Sequence, residues 1–508
     1  VKLLETLRGG AVPLAMAQQP QQPRILSKQL SSRSSDLGLG WSLWSSKSAD
    51  EEVVWAPAAQ LLPVSETPGK RRLLRRAFAP LTAGGIRQSI FTLVQTALGG
   101  GVLAMAYMMR LSGLGLATGL LLLTAVIAYV SMDILMRAAV ELQIFTFSGL
   151  MVRVLGPGSG VFLDLMLLGF GNGAMVAFFI FLGNFLPNIF QTLNGGPPGF
   201  CSPEELRTYC ICLCAVVAIP PSLPRNISAL RHVSPFALLG LFYTIVVVAL
   251  QAPDMFRMHW NQGTFGQIRW FNWDYSVLHS FSICIFAFNC HINVVPVASE
   301  MVNPTTGRIT KTIYRVVLVQ LVVYLVVSIG GYLSFLDNTP QNLIRGYSDT
   351  DKPILVSRML LSVTLLACIP MNAHPTVRSM MQLLEECFPG LRESSTALEE
   401  AMLNSNLSGD GTPSADVQDR RYPLNREGLR HMLSVASIAF NCFVALHCNE
   451  VAVILGYLGA TVGTTMMMVI PAMLLMVVPD LYSPVRRWCA VVSLLVSACA
   501  SFSSVFLS

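Results

Sequence analysis

The sequence predicts an all-α polytopic membrane protein with eleven transmembrane helices. Three observations carry this. Of its 508 residues, 53% are hydrophobic and only 12% are charged, with a mean hydropathy of +0.57; a soluble domain carries about 25% charged residues. The apolar residues fall in blocks of about 20, the length of helix that crosses a bilayer. The Lys and Arg residues gather in alternate connections between those blocks, the bias of cytosol-facing loops. A net charge of +6 therefore needs no nucleic acid to explain it, and the partner the composition calls for is the lipid bilayer.

The spans read as 88–109, 113–136, 160–190, 207–223, 232–252, 275–300, 312–336, 353–373, 430–447, 450–478 and 485–507. A short amphipathic connection lies near 137–158. Residues 253–274 hold Trp260, Trp270 and Trp273, suited to a membrane–water interface. Residues 1–84 stand apart from the transmembrane domain at 85–508. Gln18-Gln-Pro-Gln-Gln-Pro23, Ser31-Ser-Arg-Ser-Ser35 and the basic run Lys70–Arg76 predict a disordered cytosolic tail. Residues 382–429, charged and Ser-rich, predict a polar cytosolic loop. Tail and loop are both candidate docking segments for cytosolic proteins.

With the N-terminus in the cytosol, the inner connections hold most of the basic residues. The outer ones hold Arg110, Arg207, Arg257, Arg269, Arg345, Lys352 and Arg358. An odd number of spans then places the C-terminus on the non-cytosolic side. The twelve cysteines lie mostly inside spans and read as small buried apolar residues. Cys210, Cys212 and Cys214 share one apolar run, where no loop brings further metal ligands near.

Two spans are interrupted at matching places. The first holds Gly99-Gly100-Gly101 and the sixth holds Phe286-Ala-Phe288-Asn289-Cys290-His291, followed by Pro296. Three glycines in a row cost a helix roughly 3 kcal/mol against alanine. Proline removes a backbone donor. A helix that stops inside the bilayer leaves N–H and C=O groups unpaired, each costing several kcal/mol unless a ligand, ion, water or side chain meets it. Such breaks survive where they line a polar cavity, which points to transport. Five spans separate the two positions, so two five-span repeats would face opposite ways, and the eleventh span is an addition.

The residues at the breaks suggest a chemistry. Backbone N–H groups at Gly99, Gly100 and Gly101, with the positive end of the following half-helix, suit a carboxylate. Close helix packing through small residues is the plainer alternative. Thr96 stands just before this seat. Carbonyls freed at Phe286, Ala287 and Phe288 suit an ammonium group, and Phe286 or Phe288 could shutter the cavity. Asn289 reads as a partner for freed backbone. His291 is the titratable side chain nearest a break, hence a candidate for proton coupling, with a neutral histidine that satisfies local backbone as the alternative. Gln95, carbonyls near Leu98, Thr364 and Cys368 are the remaining candidates around a coupling ion. Asp133, Asp164, Glu300 and Glu450 read as near span ends, which leaves an acidic proton relay little support. No nucleophile–base pair or metal-ligand cluster sits at a plausible depth, so an enzyme is not expected, and neither is a cofactor.

At these residues the chain resembles the amino acid/auxin permease family, which includes the sodium-coupled neutral and the vacuolar amino acid transporters. Gly99-x-Gly101-Val-Leu-x-Met, then Ala106-Tyr107, is similar to the family's first-span signature. Phe286-Ala-Phe-Asn-Cys-His291-x4-Pro296-x3-Glu300-Met301, then Asn303-Pro304, is similar to its sixth-span signature. The resemblance implies a LeuT-like fold with a 5+5 inverted repeat, a cytosolic N-terminus and an amino acid substrate. It also implies a plasma-membrane or acidic-organelle (vacuolar) location. Sodium-coupled members carry Asn where this chain has Gln95, and a Thr close before the eighth-span proline, where this chain has Leu366-Ala-Cys368-Ile-Pro370. That departure moves the expectation from Na+ toward H+ coupling or facilitated transport. The expected function is alternating-access transport of neutral amino acids. An amino-acid-binding sensor or scaffold with little flux is the alternative, and an ion channel is a further rival.

Two glycosylation sequons, Asn226-Ile-Ser and Asn406-Leu-Ser, fall on the cytosolic side in this topology. Neither is expected to carry glycan. A glycosidase-sensitive mass shift traced to Asn406 would reverse the orientation.

Overall fold

Helices account for nearly all of the regular structure. The computed structural model describes residues 85–156, 158–196, 202–224, 233–388, 426–478 and 481–507. The expected tail 1–84, both sequons and most of the loop 382–429 lie outside the described residues.

Fourteen helical elements matter below. They are α1 (Ile86–Ala97), α2 (Gly101–Ser112), α3 (Leu114–Leu142), α4 (Phe147–Leu155), α5 (Ser159–Asn194), α6 (Pro203–Ser222), α7 (Val233–Asn261), α8 (Ser276–Phe288), α9 (His291–Glu300), α10 (Thr306–Phe335), α11 (Lys352–Cys387), α12 (Arg426–His447), α13 (Val451–Val477) and α14 (Pro484–Leu507). Among the described residues ten helices are long and apolar enough to cross a membrane, and up to eleven if the bent pair α1 and α2 is one span. That pair meets at 59°, whereas α8 and α9 read together as one 25-residue span despite their interruption. The outer faces suit lipid, with Leu213 and Val216 on α6, Leu239 and Phe242 on α7, and Val492 and Val496 on α14 all exposed. Trp260, Trp270 and Trp273 are exposed as well, in keeping with an interfacial role.

Several boundaries differ from the hydropathy reading. Helix α11 runs to Cys387 rather than 373, through Pro370 and Pro375, so the polar loop starts later than 382. Its 36 residues make it about 54 Å long. An apolar block marks the ~30 Å hydrocarbon core, not where a helix ends. Likewise α7 continues to Asn261 and α3 to Leu142. The length of α3 changes the reading of Asp133. It is not at a helix end but is buried, 2.7 Å from Nε of Arg137. The Tyr482 hydroxyl also donates to Asp133, and Arg137 donates to Thr310 Oγ1 at 3.1 Å. This ion pair ties α3 to α10 and to the connection before α14.

The broken pairs occupy the middle of the bundle. Helices α2 and α8 pack on each other, α1 and α9 share another contact, and α3 and α10 flank both pairs. Helix α8 is held along its length by α13. A methyl group at Gly456 would come within 2.2 Å of the His279 ring, one at Gly459 within 1.9 Å of the Ser282 carbonyl oxygen, and one at Gly463 within 3.1 Å of Ile285. The same helix carries two π-helical stretches, Gly459–Gly463 and Thr465–Val469, a rare geometry that recurs at functional sites. Hydroxyls close the contact with α14. Ser282 Oγ lies 2.8 Å from Ser504 Oγ, and Thr464 donates to Ser501 at 2.6 Å.

The Gly459 contact is to backbone, which cannot swing aside. Gly459→Ala should therefore destabilise the protein by about 1–3 kcal/mol through overpacking, read as a lowered unfolding temperature in detergent. Gly119→Ala in α3, where a methyl group meets nothing within 4 Å, should hold or raise it. Equal behaviour of the two variants would contradict the contact.

Candidate functional site

Both interruptions open onto one cavity of 520 Å³. The end of α1 and the glycine tripeptide form one wall, and the junction of α8 and α9 forms another. Helices α5, α7, α11 and α13 close it with mostly apolar side chains, among them Phe170, Phe178, Leu241, Leu365 and Met466. The Phe170 and Phe286 rings meet at 5.8 Å between centroids.

The cavity is asymmetric. Its exposed lining residues include Thr96 on α1 and Pro375 on the far half of α11, while α2 from Gly101 to Ala106 and α8 from Ser280 to Ile285 are buried. It opens toward the Ile86 end of the bundle and is closed toward the Ser112 end. The closed end is sealed by the segment 336–347, whose Leu343, Ile344 and Tyr347 are buried. Arg358, fully buried, donates to the Ile344 and Tyr347 carbonyls at 3.2 and 2.9 Å and to Asp349 at 2.6 Å. Arg110 donates to the Thr339 carbonyl at 3.0 Å.

The three glycines do different things. Gly99 is exposed to the cavity, and a methyl group there meets nothing within 4 Å. A methyl group at Gly100 would lie 3.0 Å from the Phe181 ring, and one at Gly101 would lie 3.3 Å from Cα of Ala287. So Gly99 faces open space, while Gly100 and Gly101 let α2 lie close to α5 and α8. The backbone folds back on itself. Gly99 N–H donates to the Ala97 carbonyl at 2.9 Å, and the Val102 and Leu103 N–H groups donate to Gly99 and Gly100 carbonyls at 3.2 Å each. The N–H groups of Gly100, the residue before α2, and of Gly101, its first residue, have no backbone acceptor among the described residues. They sit at the partially positive end of that helix.

The second interruption is paired differently. Asn289 N–H donates to the Phe286 carbonyl at 3.2 Å, and the Asn289 side-chain oxygen accepts from His291 N–H at 3.3 Å. This local turn, rather than the turn before Pro296, stops α8 and starts α9. The Ala287 carbonyl accepts from the Tyr324 hydroxyl at 2.5 Å. Phe286 and Asn289 line the cavity, but Ala287 and Phe288 lie behind it, fully packed. Of the three residues expected to offer carbonyls, Phe286 is thus the one on the cavity wall, and its carbonyl also accepts from Asn289. The Ala287 carbonyl is already taken, and Phe288 packs edge-on against Tyr324 at 4.9 Å.

The other singled-out residues divide in the same way. Gln95, Thr96, Leu98, Thr364 and Cys368 all line the cavity. Thr96 Oγ1 donates to the Thr92 carbonyl at 2.8 Å and accepts from Asn293 Nδ2 at 3.1 Å. Thr364 Oγ1 donates to the Leu360 carbonyl at 2.8 Å. His291 is fully buried behind the cavity, with Nε2 2.7 Å from Ser131 Oγ and Nδ1 3.2 Å from Asn289 Oδ1. Because the His291 N–H fixes Asn289 Oδ1 as an acceptor, the pattern places a ring proton on Nδ1, while Nε2 pairs with Ser131, whose hydroxyl also lies 3.1 Å from the Ala128 carbonyl. That braces α9 on α3. Asn172 does not face the cavity; its oxygen accepts from Ser437 and Asn441, each at 2.9 Å, and holds α12 to α5. Tyr324, Phe170, Phe178 and Met466 escape sequence reading, because one aromatic or Met in an apolar span looks like any other.

Similar proteins agree on the class. The family model described as transmembrane amino acid transporter protein matches residues 82–508. AAT1 of Toxoplasma gondii, named as a candidate amino acid transporter, is 32% identical over 333 residues, 65% of this chain and 45% of that protein. AAT1 of Plasmodium berghei, named in the same way, is 28% identical over 66% of this chain and 53% of its own length. The chain thus spans about half the length of these relatives. Vacuolar amino acid transporter 6 of Saccharomyces cerevisiae is 24% identical over 76% of this chain and 89% of that protein. Among solved structures, MhsT in complex with L-phenylalanine aligns with a TM-score of 0.43 and 11% identity, covering 83% of this chain and all of the other. With a family match that runs from before the first interruption to the end of the last helix, this chain belongs to the transmembrane amino acid transporter protein family, as an integral, multi-pass membrane protein.

Proposed function

We propose that the protein is a secondary transporter that moves neutral amino acids across its membrane by alternating access. The observation that carries this is the single cavity shared by two interrupted helices and open at one end only. The substrate carboxylate sits on the Gly100 and Gly101 N–H groups beside Gly99. Its amino group lies toward the Phe286 carbonyl and Asn289. Its side chain meets the apolar wall of Phe170, Phe178, Leu365 and Met466, and among the described residues no Lys, Arg, Asp or Glu lines the cavity to pair with a charged one. The eleven spans form two inverted five-span repeats in a LeuT-like arrangement, with α14 added. The N-terminus is cytosolic, so the cavity as seen here opens to the cytosol. The vacuolar transporters among the relatives support an acidic organelle as its membrane.

Coupling is to H+ rather than Na+. A sodium ion needs several converging oxygens. Gln95 and Cys368 stand at the cavity where the sodium-coupled pattern has Asn and a hydroxyl. Saturable binding of amino acids without flux in proteoliposomes would favour a sensor instead.

Two measurements test this reading. Gly99→Val should cut uptake of labelled amino acid at least about tenfold by filling the seat, a loss of about 1.4 kcal/mol or more, with little change in unfolding temperature. Gly101→Val should instead lower the unfolding temperature, because its side chain meets Ala287. Normal uptake by the Gly99 variant would sink the seat. Uptake compared in sodium and in choline, at acidic and at neutral pH, should rise with acid and ignore the cation. Dependence on sodium at both pH values would reverse the coupling assignment.

A further inference from the structure

Helix α10 passes behind both interruptions, and one side chain on it touches both. Tyr324 is fully buried. Its hydroxyl oxygen lies 2.5 Å from the Ala287 carbonyl oxygen and 3.2 Å from the Ala97 carbonyl oxygen. Ala97 is the last residue of α1, and Ala287 is one residue from the end of α8. A phenol has a single proton, and here the two carbonyls share it in a three-centre bond whose shorter arm goes to Ala287.

The two carbonyls are not equally dependent on it. Ala97 also accepts from Gly99 N–H at 2.9 Å. Ala287 would take its helical bond from His291 N–H, but that group is turned to the Asn289 side chain. The Tyr324 proton is therefore what pairs the Ala287 carbonyl, in a dry interior where an unpaired carbonyl is costly. Both clamped residues are next to the cavity wall. Ala97 lines it beside Leu98, and Ala287 follows Phe286.

We propose that Tyr324 is a positioning residue for the substrate seats. Its hydroxyl pins the carbonyl ends of α1 and α8 to one point, and so fixes the distance between the carboxylate seat after α1 and the ammonium seat at the end of α8. This rests on reading the cavity as the amino acid site. Tyr324 itself does not line the cavity, so it acts through Ala97 and Ala287. The Asn293–Thr96 bond at 3.1 Å also joins the two breaks, but at the exposed mouth, where water can replace it.

Two readouts test the clamp independently. In Tyr324→Phe, backbone hydrogen exchange should quicken in the peptides that cover 94–103 and 285–293 and stay unchanged elsewhere. In proteoliposomes the same variant should raise the half-saturating amino acid concentration about tenfold, the scale of one lost buried hydrogen bond, with little change in maximal rate. 4-Aminophenylalanine in place of Tyr324 keeps a donor at the same reach and has two N–H protons, so it should restore both readouts. Exchange that quickens uniformly, unchanged exchange at both breaks, or no rescue by the amino analogue would each overturn the proposal. A wild-type protein that carries no amino acid would sink the transport reading instead, and the exchange measurement would still decide whether Tyr324 clamps the two ends.

Discussion

Backbone cut open inside a bilayer has to find partners without bulk water, and that constraint organises the centre of this protein. At the first interruption the chain answers it locally. Gly99 turns back on Ala97, and Val102 and Leu103 turn back on Gly99 and Gly100. At the second, Asn289 supplies both a backbone donor to Phe286 and a side-chain acceptor for His291, while Tyr324 reaches across for Ala287. When all of these bonds are drawn, the Gly100 and Gly101 N–H groups still lack a backbone acceptor among the described residues. They stand at the start of a helix beside the cavity. The backbone pairing left open is thus concentrated where an anion would complete it.

The surroundings of the breaks follow from the need to hold them. Helix α8 ends in mid-bundle, so its packing must come from neighbours rather than from its own continuation. The close approach of Gly456 and Gly459 on α13, and the hydroxyl contacts among Ser282, Ser504, Thr464 and Ser501, supply it. His291 and Ser131 do the same for the start of α9. These contacts are tight and buried. The mouth of the cavity is different, with Thr96 and Pro375 exposed and the exposed Asn293–Thr96 bond across it. The two ends of the central bundle therefore differ in how firmly they are closed, as the proposed alternating-access cycle requires of one state.

Charge is placed on the same principle. Arg358 is buried completely yet meets two carbonyls and Asp349, so its desolvation is offset by bonds that seal the closed end. Asp133 and Arg137 form the corresponding knot toward the other end, with Tyr482 and Thr310 as further partners. Neither pair lines the cavity. Among the described residues the polar groups on the cavity wall are hydroxyls, amides, a thiol and backbone, which suits the proposed substrate, whose own charges are a carboxylate and an ammonium.

Much of this was legible in the chain. Hydropathy sets the number of apolar blocks because each must match the thickness of lipid. Gly99–Gly101 and Phe286–His291 mark the breaks because glycine weakens a helix wherever it sits and a polar cluster in an apolar span needs a reason. Helix ends were less legible, since α11 and α3 outrun the hydrocarbon core that hydropathy measures. Side-chain roles at the breaks were legible only in part. Sequence places His291, Ala287 and Phe288 beside the cavity but cannot say which face of a turn they take, and packing puts all three behind it. What the sequence by itself determined is that two spans had to be interrupted and that their backbone had to be met. Only the tertiary structure decided by what, because Tyr324, 227 residues from Ala97 and 37 from Ala287, becomes their common partner through packing that leaves no local mark on the chain.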